Sequence, residues 1–117
     1  MSWLRIDDGY AEHPKLIALS DAAFRTHTAG LCYCARHLTD GQIPTSIATR
    51  LGTKRSITEL VDAHIWIVTI QGYKLHDYLD WNPSRDAVKA ERERKAAGGR
   101  RGAKTRWRHL QPVKDNP

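Results

Sequence analysis

The feature of this sequence that most constrains its fold is the point, at Asn82, beyond which large apolar residues no longer recur at short intervals. Residues 1–82 contain 8 Lys and Arg against 9 Asp and Glu, a net charge of −1, whereas residues 83–117 contain 11 against 4, a net charge of +7. The first 82 residues must therefore supply the hydrophobic core, which is enough for one small domain. The excess positive charge of the C-terminal third indicates a polyanionic partner for that segment.

The strongest helical pattern follows Ser20, a good N-cap residue because its hydroxyl accepts a hydrogen bond from a free backbone N–H. Its buried face is predicted from apolar residues at three- and four-residue spacing, namely Phe24, His27, Leu31, Cys34, Ala35 and Leu38. A brief helix from Pro14 to Leu19 precedes it. After it, Asp40-Gly41 predicts a turn, and residues 42–44 allow only a very short extended piece.

Two further helices are predicted to meet across a tight turn. Residues 46–51 form a helix of less than two turns, which Thr45 caps and Gly52 ends. Thr53 caps the next helix, which runs to Ala63 and whose predicted buried stripe is Ile57, Leu60, Val61 and His64 or Ile65. The opposite, solvated face carries Arg55, Thr58, Glu59 and Asp62.

Residues 65–79 are rich in β-branched and aromatic side chains and predict a hairpin that turns at Gln71-Gly72. Period-2 alternation places Trp66, Val68, Ile70, Tyr73 and Leu75 on the half-buried side, and Thr69, Gln71 and Lys74 on the outer side. The order helix, short extended piece, short helix, tight turn, helix and hairpin predicts an α+β fold. It is typical of a winged helix-turn-helix domain, here spanning residues 1–82.

The C-terminal third is predicted to be an extension outside this domain. Residues 83–97 form a basic, polar helix supported by a charge pair between Glu91 and Lys95, since little of this segment is apolar enough for a core. Gly98-Gly99 is expected to end this helix. Residues 98–117 then have the composition of a flexible, disordered basic tail.

The winged helix-turn-helix arrangement predicts that the chain binds double-stranded DNA. In it, the helix from Thr53 to Ala63 lies against the major groove, and the hairpin tip reaches an adjacent groove or the backbone. In the basic segment, Trp107 can stack on a base or wedge into a groove while the cations neutralise phosphates. The candidate DNA-binding residues are Thr53, Lys54, Arg55, Ser56, Thr58, Gln71, Lys74, Arg85, Lys89, Arg92, Arg100, Arg101, Lys104, Arg106, Trp107 and Arg108.

The acidic balance of residues 1–82 keeps a second interpretation open. Glu59 and Asp62 lie on the outer face of the candidate recognition helix, and their carboxylates repel phosphate. In this interpretation the domain is a protein-docking module that recruits a host or phage replication protein. The basic C-terminal segment, residues 83–117, is an arm that delivers the domain to DNA. For the arm itself, the alternative is a tail that only increases solubility.

Three stretches carry a resemblance to a known family: HPKLIALSDAAFRTHTAGLCYCARHLTDGQIP, ELVDAHIW and GYKLHDYLDWNPSRDAV. They resemble the small winged-helix proteins of actinobacterial phages and prophages, which are related to phage replisome-organiser N-terminal domains, over about residues 3–88. The resemblance implies a DNA-binding role in bacteriophage DNA replication or transcription regulation. Such proteins tend to have Gly where this chain has His64, which implies that His64 is a strained helix cap with a positive φ.

The sequence favours neither an enzyme nor a metalloprotein, because no paired carboxylates, nucleophile constellation, phosphate loop or metal-ligand spacing is visible. No cofactor is expected. Cys32 and Cys34 are too close along a helix to pair and are expected to be buried structural thiols. His27, His37 and His76 are expected to be packing or surface residues.

Neither a membrane segment nor a secretion signal is expected. The chain has no run of 18 apolar residues, and its first residues lack a basic segment followed by an apolar one. The expected location is therefore the cytoplasm, that of the bacterial host for a phage protein. The sequence leaves the oligomeric state open.

Overall fold

The computed structural model describes residues 3–78, 82 and 84–110, with side chains as far as residue 100. The chain divides into two units, of which the first ends at Arg85 and the second begins at Asp86. The first unit is α+β and compatible with a winged-helix-like fold. Its elements are a 3-10 turn (Tyr10–Glu12), α1 (Pro14–Ile17), α2 (Asp21–His37), β1 (Gln42–Pro44), α3 (Thr45–Leu51), α4 (Lys54–Asp62), β2 (Trp66–Val68) and β3 (Gly72–Leu75).

The three strands form a small antiparallel sheet in the order β1-β3-β2. Ile43 of β1 lies opposite Tyr73, and Trp66 of β2 lies opposite Leu75. Gly72 begins β3 with φ +154°, and a Cβ there would overlap the Ile43 carbonyl oxygen of β1. Glycine is therefore required at this position so that the short β1 strand can pair with the hairpin.

The buried face of α2 is rotated from the predicted one towards smaller residues. The buried residues are Ala23, Thr26, His27, Gly30, Leu31 and Cys34, whereas the predicted Phe24, Ala35 and Leu38 are only half-buried. A Cβ on Gly30 would lie 2.8 Å from Cζ2 of Trp66 and 3.0 Å from Cδ1 of Ile43. The helix presents its small residues because the large side chains of the sheet fill the space opposite them.

The predicted N-caps of two helices are confirmed. The Ser20 hydroxyl accepts a hydrogen bond from the Ala23 N–H at the start of α2, and the Thr53 hydroxyl accepts one from the Ser56 N–H at the start of α4. The cap predicted for α3 is wrong, because Thr45 is itself helical and Pro44 holds the cap position. The Thr45 N–H instead donates to the Gln71 carbonyl at 3.2 Å, which ties α3 to the hairpin.

The end of α4 confirms the positive φ expected for His64, which is +60°. The His64 N–H donates to the Val61 carbonyl and the Ile65 N–H to the Leu60 carbonyl, each at 3.0 Å. This pair of bonds is a Schellman motif, whose usual glycine is here replaced by histidine.

The two thiols are both free, but they differ in exposure. Cys34 is buried as predicted, and its burial raises the pKa of the thiol to about 11. Cys32 is exposed, so its expected burial is wrong. Cys32 lies on the outer side of α2, two residues before the buried Cys34.

Helix α5 (Arg85–Leu110) forms most of the second unit that the structure describes. It continues through Gly98 and Gly99, where the sequence predicts its end and the start of a flexible tail. Glycine lowers helix stability by about 1 kcal/mol relative to alanine without blocking helical geometry. Residues 111–117 of the predicted tail lie outside the described residues. No helix in the described part of the chain is both long and apolar enough to cross a membrane.

Candidate nucleic-acid interface

The N-terminal turn of α4 presents the predicted basic residues to solvent. Thr53, Lys54, Arg55 and Thr58 are all exposed. Lys54, Arg55 and Thr58 also line one shallow, open groove on this side of the helix, together with the carboxylates of Glu59 and Asp62. Backbone N–H groups and cations at a helix start are the groups that attract phosphate. The structure therefore brings these predicted residues together on one accessible surface.

Ser56 does not belong to this surface, although the sequence places it among the DNA contacts. Its side chain is only 2% exposed, and its hydroxyl lies 2.9 Å from the Thr26 hydroxyl of α2. Its backbone N–H is already used by the Thr53 cap. A helix periodicity of 3.6 turns Ser56 inward beside Ile57 and Leu60, so its side chain is not part of the exposed surface that Lys54 and Arg55 share.

The carboxylate of Glu59 forms hydrogen bonds within the protein, so it has a structural role on the outer face of α4. Its carboxylate accepts hydrogen bonds from the Ser20 N–H at 2.7 Å and from the Ser20 hydroxyl at 2.8 Å. These bonds, followed by the nearby charge of Arg55, lower the pKa of Glu59 below its usual value. The carboxylate thereby satisfies a free N–H at the start of α2 and joins that helix to α4. Asp62, the other carboxylate predicted to repel phosphate, has no hydrogen-bond partner among the described residues.

Close packing between α2 and α4 fixes the candidate recognition helix. A Cβ at Gly52, just before α4, would overlap the Thr26 side chain and lie 2.8 Å from the Ser56 hydroxyl oxygen. Gly52 has φ −163°, which is ordinary extended backbone. Gly52 ends α3 as predicted, and glycine is needed there because the Thr26 and Ser56 side chains leave no space for a Cβ.

The hairpin turn is one residue earlier than predicted. Thr69 and Gly72 exchange backbone hydrogen bonds of 2.8 and 3.3 Å, so the two turn residues are Ile70 and Gln71. Gln71 and Lys74 are exposed, as their predicted roles require. We call this hairpin, residues 66–75, the wing.

The wing also exposes apolar residues that the alternation pattern placed on the half-buried side. Val68 is 64% exposed and Ile70 is 105% exposed, while Trp66 on the same strand is 1% exposed. Alternation identifies the side of a strand but not the length over which the core covers it. The expected burial of Val68 and Ile70 is wrong because the wing extends past the core.

Trp66 anchors the wing to α2. Its indole N–H donates to Nδ1 of His27 at 3.0 Å, and its ring packs against Gly30 and Tyr73. The prediction of His27 as a packing residue is confirmed. Burial lowers the pKa of His27 to about 4, so the imidazole is neutral near pH 7. No sequence signal pairs two residues that are 39 positions apart.

The candidate residues in the C-terminal helix divide into two groups. Arg85, Lys89, Arg92 and Arg100 are exposed. Glu91 of this helix pairs with Arg94, three positions further along, at 2.7 Å. Arg94 therefore takes the place of Lys95, the partner predicted for Glu91. The remaining candidates have side chains outside the described ones: Arg101, Lys104, Arg106, Trp107 and Arg108.

Histidine, cysteine and carboxylate side chains do not gather into a metal site in the part of the chain that the structure describes. His76 and Asp77 do form a surface pair, with Nδ1 and Oδ2 2.9 Å apart. His76 is exposed, in agreement with its expected place among packing or surface residues. Comparison with known proteins finds no family model, curated protein or solved structure that matches this chain.

Proposed function

We propose that the chain is a DNA-binding protein of the winged-helix type that acts without catalysis. In this proposal α4 faces the major groove of double-stranded DNA, and the wing reaches an adjacent groove or the backbone. The observation that carries it is the exposure of Lys54, Arg55 and Thr58 on one face of α4. The opposite face is fixed by buried Ser56 and Leu60, so this exposed surface sits on a rigid support.

The affinity of the complex is assigned to the C-terminal segment. Residues 1–82 have a net charge of −1 and residues 83–117 a net charge of +7. Contacts between cations and phosphates normally supply most of the salt-dependent affinity for DNA. Arg85, Lys89, Arg92 and Arg100 have exposed side chains that support this assignment.

The biological role we propose is bacteriophage DNA replication initiation or gene control in the cytoplasm of the bacterial host. It rests on the resemblance of the sequence stretches between His13 and Val88 to small phage winged-helix proteins. In that role, selection of a DNA site and general affinity for DNA are carried by different parts of one chain.

The first test measures whether α4 reads bases. The double variant Lys54→Ala, Arg55→Ala is compared with Arg25→Ala, Arg36→Ala, which removes two exposed cations outside the candidate surface. Competition binding on a selected DNA site and on random DNA is expected to show reduced discrimination only for the α4 variant. Equal losses on both DNAs would show that α4 does not read bases.

The second test measures the contribution of the C-terminal helix in the full chain. The triple variant Lys89→Gln, Arg92→Gln, Arg100→Gln is compared with Arg25→Gln, Arg36→Gln, Arg50→Gln, which has the same net charge and changes exposed residues of the first unit. The slope of log affinity against log salt is expected to fall by about 0.9 for each lost phosphate contact, in the helix variant alone. An unchanged slope contradicts the assignment of affinity to this helix.

The alternative function is a protein-docking module that recruits a host or phage replication protein. It is favoured by the exposed apolar side chains of the wing, where Ile67 is 43%, Val68 64% and Ile70 105% exposed. Such side chains are more typical of protein interfaces than of phosphate contacts. Selection of DNA fragments from a random pool separates the two functions. Enrichment of one sequence that depends on Lys54 and Arg55 supports DNA reading, and its absence supports docking.

A further inference from the structure

A pocket of about 360 Å³ lies in the first unit, away from the candidate nucleic-acid interface. It is bordered by the N-terminal segment, α1, α2, the end of α4 and the chain after β3. It shares no residue with the predicted DNA contacts. Its volume falls in the range of sites for small molecules.

His27 lines this pocket although its side chain is only 6% exposed. The indole N–H of Trp66 can only donate a hydrogen bond, so Nδ1 of His27 must accept it with a free lone pair. The neutral ring then carries its proton on Nε2. The ring of Tyr10 stacks on the imidazole at 16° with centroids 6.2 Å apart, which fixes the plane of the donor.

The Nε2–H of His27 has no acceptor among the described residues. The only fully buried side-chain nitrogen or oxygen without a partner in that part of the chain is Oγ1 of Thr39. Nε2 of His27 is therefore not fully buried, and the open space that this residue lines is the pocket. A donor in such an apolar setting gains free energy from an acceptor supplied by a ligand.

The pocket combines apolar wall residues with a charged border, which carries two cations and two carboxylates that differ in their hydrogen-bond partners. Leu16, Leu31 and Ile65 contribute apolar surface. The Asp7 carboxylate accepts from the Gly9 N–H at 2.9 Å, and Asp77 pairs with His76. By contrast, Arg5 and Lys15 also border the pocket but have no carboxylate partner among the described side chains.

We propose that this pocket binds a small molecule with an apolar body and one carboxylate, whose oxygen accepts the Nε2–H hydrogen bond of His27. The border charges of Arg5 and Lys15 are balanced by those of Asp7 and Asp77, so the anion is favoured only through direct contact with these two cations, which have no carboxylate partner among the described side chains. The apolar body occupies the space between Leu16, Leu31 and Ile65. This site is independent of the DNA-binding proposal, because none of its residues lies on α4's exposed face or on the wing.

The test uses three probes of similar size on the full, ¹⁵N-labelled chain. Benzoate has an aromatic body and a carboxylate, benzamide has a neutral acceptor, and benzylamine carries a positive charge without an acceptor. Benzoate is expected to shift the imidazole ¹⁵N resonances of His27 saturably and to bind about tenfold more tightly than benzamide, because charge-assisted hydrogen bonds are the stronger ones. Benzylamine is expected to leave these resonances unchanged.

Two variants at the surface avoid disturbing the core. Arg5→Gln and Lys15→Gln are each expected to weaken benzoate binding several-fold, whereas Arg25→Gln, which is outside the pocket, leaves it unchanged. The proposal is overturned if His27 does not respond to benzoate, if benzamide or benzylamine binds as tightly, or if Arg25→Gln weakens binding as much as the pocket variants do.

Discussion

At the scale of single residues, His64 ends α4 in a backbone conformation that is unfavourable for a residue with a side chain. Its φ of +60° lies in the left-handed region, which costs a residue with a side chain about 1–2 kcal/mol. The hydrogen bonds of the Schellman motif hold it there and turn the chain towards β2. His64 is exposed, so its side chain makes little packing contribution in return.

Replacing His64 with glycine is therefore expected to stabilise the protein. The left-handed strain is removed, and the greater freedom of glycine in the unfolded chain offsets part of the gain, which leaves about 1 kcal/mol. The free energy of unfolding from urea titrations measures this difference. His64→Ala is the matched control, because it removes the imidazole but keeps the strain. A gain of equal size in the alanine variant contradicts the explanation.

His27 makes stability depend on pH. Its pKa is lowered by burial to about 4 in the folded protein, against an ordinary value near 6.5 when unfolded. Its neutral form is the one that accepts the Trp66 bond. The stabilisation is complete above pH 6.5, and it is lost as the pH falls towards 4 because only the unfolded chain takes up the proton.

Between pH 6.5 and 5, the free energy of unfolding is expected to fall by roughly 1.5–2 kcal/mol, since each pH unit costs up to about 1.4 kcal/mol for one proton. This interval lies above the range in which Glu59 titrates. Urea titrations at several pH values measure the slope. The variant His27→Gln is expected to lose this dependence, and a wild-type profile that is flat over the interval contradicts it.

At the scale of elements, the joint between α2 and α4 determines where the candidate recognition helix lies. Gly52 allows close approach, the hydroxyls of Thr26 and Ser56 meet in the core, and Glu59 caps the start of α2 from outside. Three separate contacts thus fix one helix relative to the other. The exposed cations Lys54 and Arg55 take their position from this joint.

Adding one methyl group at Gly52 is expected to disrupt the joint. Gly52→Ala places its Cβ against Thr26 and Ser56, and overpacking of this kind costs about 1–3 kcal/mol. Thermal unfolding followed by circular dichroism measures the loss. Gly98→Ala in α5 is the control, because its Cβ meets nothing within 4 Å, and it is expected to raise helix content. Equal destabilisation by both substitutions rules out the steric explanation.

At the scale of the whole molecule, folding and charge are separated along the chain. Every core residue that the structure describes lies between Leu16 and Asn82, whereas the described residues of α5 are almost all exposed. The first unit carries the sheet and the α2–α4 joint, and the second carries most of the positive charge. Stability is therefore expected to come from the first unit alone.

A chain shortened to residues 1–85 is expected to unfold cooperatively with a midpoint within a few degrees of the full protein. The reason is that the described hydrophobic contacts are retained and the Arg85 N–H still donates to the Asp40 carboxylate, at 2.7 Å. Near-ultraviolet circular dichroism during heating reports the environment of the buried side chains of Trp66 and Tyr78. Loss of the cooperative transition means that the C-terminal helix is part of the folding unit.

The element order was largely predictable, since caps and periodicity are local signals. Ser20 and Thr53 mark the helix starts, and the change of period after His64 marks the hairpin. The candidate surface was only partly predictable. Lys54 and Arg55 are exposed as expected, but Ser56 is buried because its partner, Thr26, is 30 residues away. The exposure of Ile70 depends on where the core ends, which alternation does not encode.

The sequence by itself determined that the core lies in the first 82 residues, that the positive charge follows it, and that Ser20 and Thr53 start helices. These properties depend on composition and on neighbours within one helical turn. Only the tertiary structure decided that Glu59 caps α2, that Gly52 is needed for close packing, and that Trp66 fixes the proton of His27 on Nε2. Each of these depends on atoms brought within about 3 Å from distant parts of the chain, where hydrogen bonding and steric exclusion act.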